Sequence, residues 1–192
     1  MAVTLACAAP FVRESRTECN RVLVRRWHVP SSGERVLRVW LDAQAQELGG
    51  WNTYGPRRLR LALDEWNSIR LPVRLVQASS ARESDIVVDI VASLPTVDDS
   101  VARDQAGITN LSYEPSGNIL KARVLIAVGT PIGRRYPLVA QQANLLHELG
   151  HAIGLPHAAE TGAVMAMRRS NYQLTGSDIT LARKHYARCP GA

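Results

Sequence analysis

Residues 147–157 read HELGHAIGLPH. Neutral imidazole is a good zinc ligand, and the spacing of these histidines bears on whether they can share one ion. On a helix with 3.6 residues per turn, His147 and His151 project from one face, one turn apart, so both can reach a single metal. Glu148 is turned by about 100° from His147 and lies beside that metal rather than under it. A third helical ligand would fall at position 154 or 155, but these are Gly154 and Leu155. Gly154 can instead adopt positive φ without steric cost and end the helix in a left-handed cap. Pro156 stiffens the return, and His157 can approach from the other side. Three neutral imidazoles with one position left open describe a catalytic zinc, whereas a structural zinc is closed by four protein ligands. With Glu148 as general base and then acid, the chemistry is amide hydrolysis through a metal-activated water. Gly154 and His157 at fixed offsets make the pattern rarer than a bare H-E-x-x-H by a factor on the order of a thousand.

The elements that must hold these residues are legible from hydrophobic period and breakers. Pro137 to Ile153 reads as the helix that carries the motif, with Leu146, Leu149 and Ile153 on its buried side. Upstream, RVLRVWL (35–41) is a strand, followed after a Gly-Gly turn by a helix from about Pro56 to Arg70. Leu59, Ala62, Leu63 and Trp66 form its buried face, Pro56 suits its first turn, and Pro72 stops it. PVRLVQA (72–78) is a short strand. DIVVDIV (85–91) is nearly continuous in apolar residues and suits a sheet interior covered on both faces. GITNLSY (107–113) is polar enough for an edge strand. In ILKARVLIAV (119–128), Leu120, Ala122, Val124, Ile126 and Val128 take one face, Lys121 and Arg123 the other. A last helix runs from about Ser177 to Ala187, capped by Ser177-Asp178.

A chain of 192 residues, 46% hydrophobic and 21% charged, fits one domain and has no apolar run long enough to span a membrane. The net charge is +6, and Lys121 and Lys184 are the only lysines. The arginines are scattered rather than gathered in a stripe, which argues against nucleic acid as a partner. Residues 1–33 lack strong periodicity, end in the loop signal Pro30-Ser31-Ser32-Gly33, and read as a leader or amino-terminal extension. Ala6-Cys7-Ala8 has the shape of a cleavage site, and Leu5-Ala6-Cys7 resembles a bacterial lipoprotein box. On that reading the protein is secreted or held at the bacterial cell envelope, lipid-anchored through Cys7, and Cys19 and Cys189 remain to form a disulfide. Three reduced thiols in a cytosolic protein fit the same count.

HExxHxxGxxH resembles the zinc signature of the metzincin metallopeptidases, and further segments resemble the matrixin-type branch and its small bacterial members. Met165 in AVMAM (163–167) resembles the Met-turn methionine beneath the zinc. LTGSDITLARKHY (174–186) is similar to the carboxy-terminal helix of matrixins, ALDEWNS (62–68) to their first helix, and SDIVVDIV (84–91) to their central strand. GITNLSYEPSGNILKARVLI (107–126) resembles the edge and return strands of bacterial members. The resemblance implies an α+β fold: a twisted, mixed five-stranded sheet with two helices, a zinc cleft, and a small carboxy-terminal lobe ending in a helix. The catalytic domain would span 34–192, with an upper lobe at about 34–154 and a lower one at about 155–192. It implies a zinc endopeptidase with Glu148 as general base and acid, His147, His151 and His157 as ligands, Met165 in the Met-turn and Gly154 in the helix-ending turn. A protein or peptide substrate would lie extended along the edge strand near 107–112, and the enzyme would act as a monomer.

There are departures from that pattern. Ala158 stands where relatives commonly carry a serine or acidic residue, and Met167 where some carry a tyrosine that reaches the zinc, which leaves Tyr172 as a remote candidate. No histidine lies between His28 and His147, so a second, structural zinc is not expected, and His28 and His185 read as surface or packing residues. Asp98, Asp99 and Asp104 form an acidic loop cluster that could take Ca2+. Arg168 and Arg169 suggest tolerance of acidic or polar residues at the cleft rim. Two other functions fit the sequence: a non-catalytic peptide- or protein-binding module on the same scaffold, and a cytosolic zinc hydrolase of small amides.

Overall fold

The computed structural model describes residues 25–31, 33–42, 48, 50–94, 106–167 and 171–187. Among them are five strands and three helices: β1 (Arg35–Leu41), α1 (Trp51–Ser68), β2 (Val73–Gln77), β3 (Ile86–Val91), β4 (Gly107–Tyr113), β5 (Ile119–Ala127), α2 (Leu138–Ala152) and α3 (Gly176–Tyr186). The strands form one mixed sheet in the order β2-β1-β3-β5-β4. All neighbours are parallel except β4, which lies antiparallel to β5 and forms an edge. This is the α+β, five-stranded arrangement expected above, with the polar strand at the edge. No helix among the described residues is long and apolar enough to cross a membrane.

Leu37, Val39, Ile86, Val88, Val124 and Ile126 are buried on one face of the sheet, where α1 and α2 pack. The other face of β3 differs from the expectation of cover on both sides. Asp89 emerges there and pairs with the largely exposed Arg123 at 2.6 Å, and its carboxylate raises the guanidinium pKa. On that face the central position of β3 buries Asp89 and half-buries Val87 and Val91, while Ile86, Val88 and Ile90 alternate onto the face that the helices cover.

Three boundaries move from their sequence positions. α1 begins at Trp51, so Pro56 lies inside the helix instead of in its first turn. A proline there forgoes one backbone bond and costs about 3 kcal/mol in a helix interior. The extra turn is held by Trp51, which is fully buried and donates its indole N–H to Gln141 Oε1 at 2.6 Å. The same helix ends at Ser68, two residues before the expected Arg70, which instead takes a left-handed φ of 55°. In β5, Leu120 is exposed and Ile119 is buried in its place. A bulge opposite Ser112 and Tyr113, which pair with Lys121 and Ile119, skips Leu120 and breaks the alternation. α3 starts one residue early, capped by Thr175 instead of Ser177, with Asp178 completing a capping box.

Residues 25–29 pack against the domain. Arg26 donates its N–H to Gly117 O and accepts from Ile119 N, while the buried Trp27 donates its indole N–H to Ala152 O at 2.9 Å. His185 of α3 donates from Nε2 to Arg25 O at 3.0 Å. Burial pushes this imidazole below its ordinary value of 6.5, and the Arg26 charge adds to the effect. A depressed folded pKa means that the unfolded chain takes up the proton first. Stability is therefore full above pH 6.5 and falls as the pH drops towards the folded pKa. In metal-free protein, wild type should lose more unfolding free energy between pH 7.5 and 5.5 than His185→Gln does. Equal losses would show that His185 does not carry this dependence.

Candidate metal centre

α2 starts from Pro137, which serves as its N-cap, and presents the motif on its last two turns. His147 and Glu148 are buried, His151 is half-buried and His157 is exposed. Gly154 follows with φ 97°. A Cβ at 154 would collide with Arg25 O, so both backbone conformation and space demand glycine there. Leu155 N then bonds Gly150 O at 3.0 Å, the chain reverses, and His157 returns to the helix face.

The three imidazoles converge on one point. Nε2 of His151 lies 3.0 Å from Nε2 of His147 and 3.2 Å from Nε2 of His157. His147 Nδ1 is 2.6 Å from Val164 O, and His151 Nδ1 is 2.8 Å from Leu155 O. A carbonyl oxygen only accepts, so Nδ1 of His147 and of His151 carries the proton, and the Nε2 of each turns a lone pair inward. Lone pairs so close repel one another unless a cation lies between them. The three residues can together hold a metal ion.

The turn that supplies Val164 O is itself anchored from α3. Asp178, with no exposed surface, accepts from Val164 N at 3.0 Å and from Met165 N at 2.8 Å. It also accepts from Thr175 N and Thr175 Oγ1, at 2.8 and 2.7 Å. Ala158 N bonds Met165 O at 2.8 Å, which ties the residue after His157 to the same turn. Met165 is fully buried, and its sulfur fills the space where a side chain at Gly150 would stand, beside Trp66. Gly150 is therefore required by packing, which its place in the motif does not reveal.

On the other side of α2, Glu148 faces β4. Thr109 Oγ1 lies 2.7 Å from Glu148 Oε2 and 3.0 Å from Glu148 O. A Cβ at Gly107 would lie 2.5 Å from Glu148 Cγ and 2.6 Å from Oε1. No sequence signal joins Gly107 or Thr109 to the motif, because the contact spans 39 residues.

Met167 is 80% exposed and Tyr172 52% exposed. His28 is exposed, its backbone N–H bonded to Asn118 Oδ1. Cys7, Cys19, Cys189, the calcium candidates Asp98, Asp99 and Asp104, and the rim residues Arg168 and Arg169 lie outside the described residues. No protein-family model matches this chain, and no curated protein matches it significantly. The conclusion about the site therefore rests on its geometry: three histidines are placed to bind one metal ion.

Proposed function

We propose that the protein is a zinc-dependent endopeptidase with a metzincin-like catalytic domain of the matrixin type. The observation that carries the reading is the inward-facing Nε2 triad. Tetrahedral zinc at 2.0–2.1 Å from its imidazole ligands separates their nitrogens by about 3.3 Å, close to the 3.0 and 3.2 Å found here. Among the described residues three histidines converge, and three protein ligands rather than four is the donor count of a catalytic zinc. When bound, zinc supplies a Lewis acid that polarises a carbonyl and brings the pKa of a water down to about 7.

The remaining work belongs to the chain. His147 and His151 are kept in the ligating tautomer by Val164 O and Leu155 O. Glu148 takes the proton of the attacking water on its carboxylate and passes it to the leaving nitrogen. β4 is an edge strand beside Glu148, so an extended peptide adding along it would bring its backbone to the carboxylate.

Incubation of the zinc-loaded protein with a mixed peptide pool tests the reading. Cleavage should stop with a chelator and return with added zinc. His157→Ala should bind zinc at least about a hundredfold more weakly, measured by chelator competition, since one of three ligands is gone. Undiminished affinity would remove the three-histidine site. Zinc binding without cleavage by wild type would favour a peptide-binding module instead.

A further inference from the structure

We propose that Gly107 and Thr109 of β4 are positioning residues that seat the Glu148 carboxylate, so that the strand expected to receive substrate also fixes the proton carrier. The proposal rests on the peptidase reading above. Residues two apart on a strand share a face, and positions 107 and 109 both meet Glu148. Each controls a different part of its side chain.

Gly107 supplies space. Its φ is not in the left-handed region, and it pairs in ordinary register with Ile126. Backbone conformation therefore does not require glycine at this position. The three nearest atoms to a Cβ there would be Cγ, Oε1 and Cδ of Glu148, at 2.5, 2.6 and 2.8 Å. All three belong to the Glu148 side chain, and the nearest, Cγ, is held close to the helix, so a methyl group at 107 would force that buried side chain to shift. Thr109 supplies direction. Its single hydroxyl proton is within reach of Oε2 at 2.7 Å and of Glu148 O at 3.0 Å, and the charged carboxylate is the stronger acceptor. With Gly107 against Oε1 and the Thr109 hydroxyl on Oε2, a buried side chain with three rotatable bonds is restrained from both sides.

Misplacement of a reacting group by about 1 Å can cost on the order of a hundredfold in rate. With zinc-loaded protein and a cleavable peptide, Gly107→Ala should lower kcat on that order. Zinc content should stay at the wild-type value, and KM should change by a smaller factor than kcat, because the atoms met belong to Glu148 and to none of the three ligands. Thr109→Val should lower kcat by about tenfold, and Thr109→Ser, which keeps the hydroxyl, should recover most of the loss. In metal-free protein, Thr109→Val should lower the urea midpoint more in the wild-type background than in Glu148→Ala, where the carboxylate acceptor is absent. Wild-type kcat in Gly107→Ala, a serine no better than valine, or equal midpoint shifts in the two backgrounds would each overturn the seat. The midpoint comparison needs no activity, so failure of the peptidase reading would appear separately, as an inactive wild type.

Discussion

Glu148→Gln should lower kcat by about two to four orders of magnitude while leaving zinc content unchanged. The amide has nearly the shape of the carboxylate and still offers an oxygen to Thr109 Oγ1, now 2.7 Å from Oε2. It cannot accept a proton at neutral pH, so the step lost is proton transfer rather than packing. Glu148 is not one of the three residues whose ligand atoms converge, so metal retention is expected. Steady-state kinetics on a peptide substrate, beside metal analysis of the same sample, reads both quantities. Cleavage at the wild-type rate by Glu148→Gln would sink the mechanism, and loss of zinc would show that the side chain helps hold the metal.

Asp178→Ala should have the largest effect on stability. Its carboxylate accepts from Val164 N, Met165 N, Thr175 N and Thr175 Oγ1, and the residue is completely buried. Truncation leaves buried donors without their acceptor, at about 1–3 kcal/mol for each that water cannot reach. A loss of about 3–5 kcal/mol is expected, a large share of the 5–15 kcal/mol that holds a typical domain together. The damage should also reach the metal. Val164 O sets the His147 tautomer, so a loosened turn should weaken zinc binding by about 10–100-fold, as loss of an outer-shell partner does. Urea unfolding of metal-free protein and chelator competition measure the two effects separately. Full stability in Asp178→Ala would mean that the turn finds other partners. Lost stability with undiminished affinity would cut the link from Asp178 through Val164 to His147.

Much of this was legible in the chain because it depends on short-range geometry. The 3.6-residue period places His147 and His151 on one face, and the glycine at 154 marks where the helix must end; α2 and the φ of 97° follow both signals. The polar composition of 107–113 identified an edge strand. Structure and local rule part company where a distant contact overrides the rule. Pro56 marks a helix start by its chemistry, but the helix begins at Trp51, which is fully buried and bonded to Gln141, 90 residues away in sequence. Leu120 alternates correctly in sequence, yet the bulge opposite β4 turns it outward. Thr175 and Asp178 formed a readable T-x-x-D box, although the neighbouring serine competed for the cap.

The types of the three histidine side chains, their spacing and the turn that brings the third one back are written in eleven consecutive residues, within reach of local rules. How the imidazoles are oriented and what faces the glutamate depend instead on long-range packing. Val164 O reaches His147 from 17 residues away, and Thr109 Oγ1 reaches Glu148 from 39. Side chains so far apart in sequence have no periodicity in common. Their meeting is set by how α2, β4 and the turn at 163–166 pack together, which no local pattern encodes.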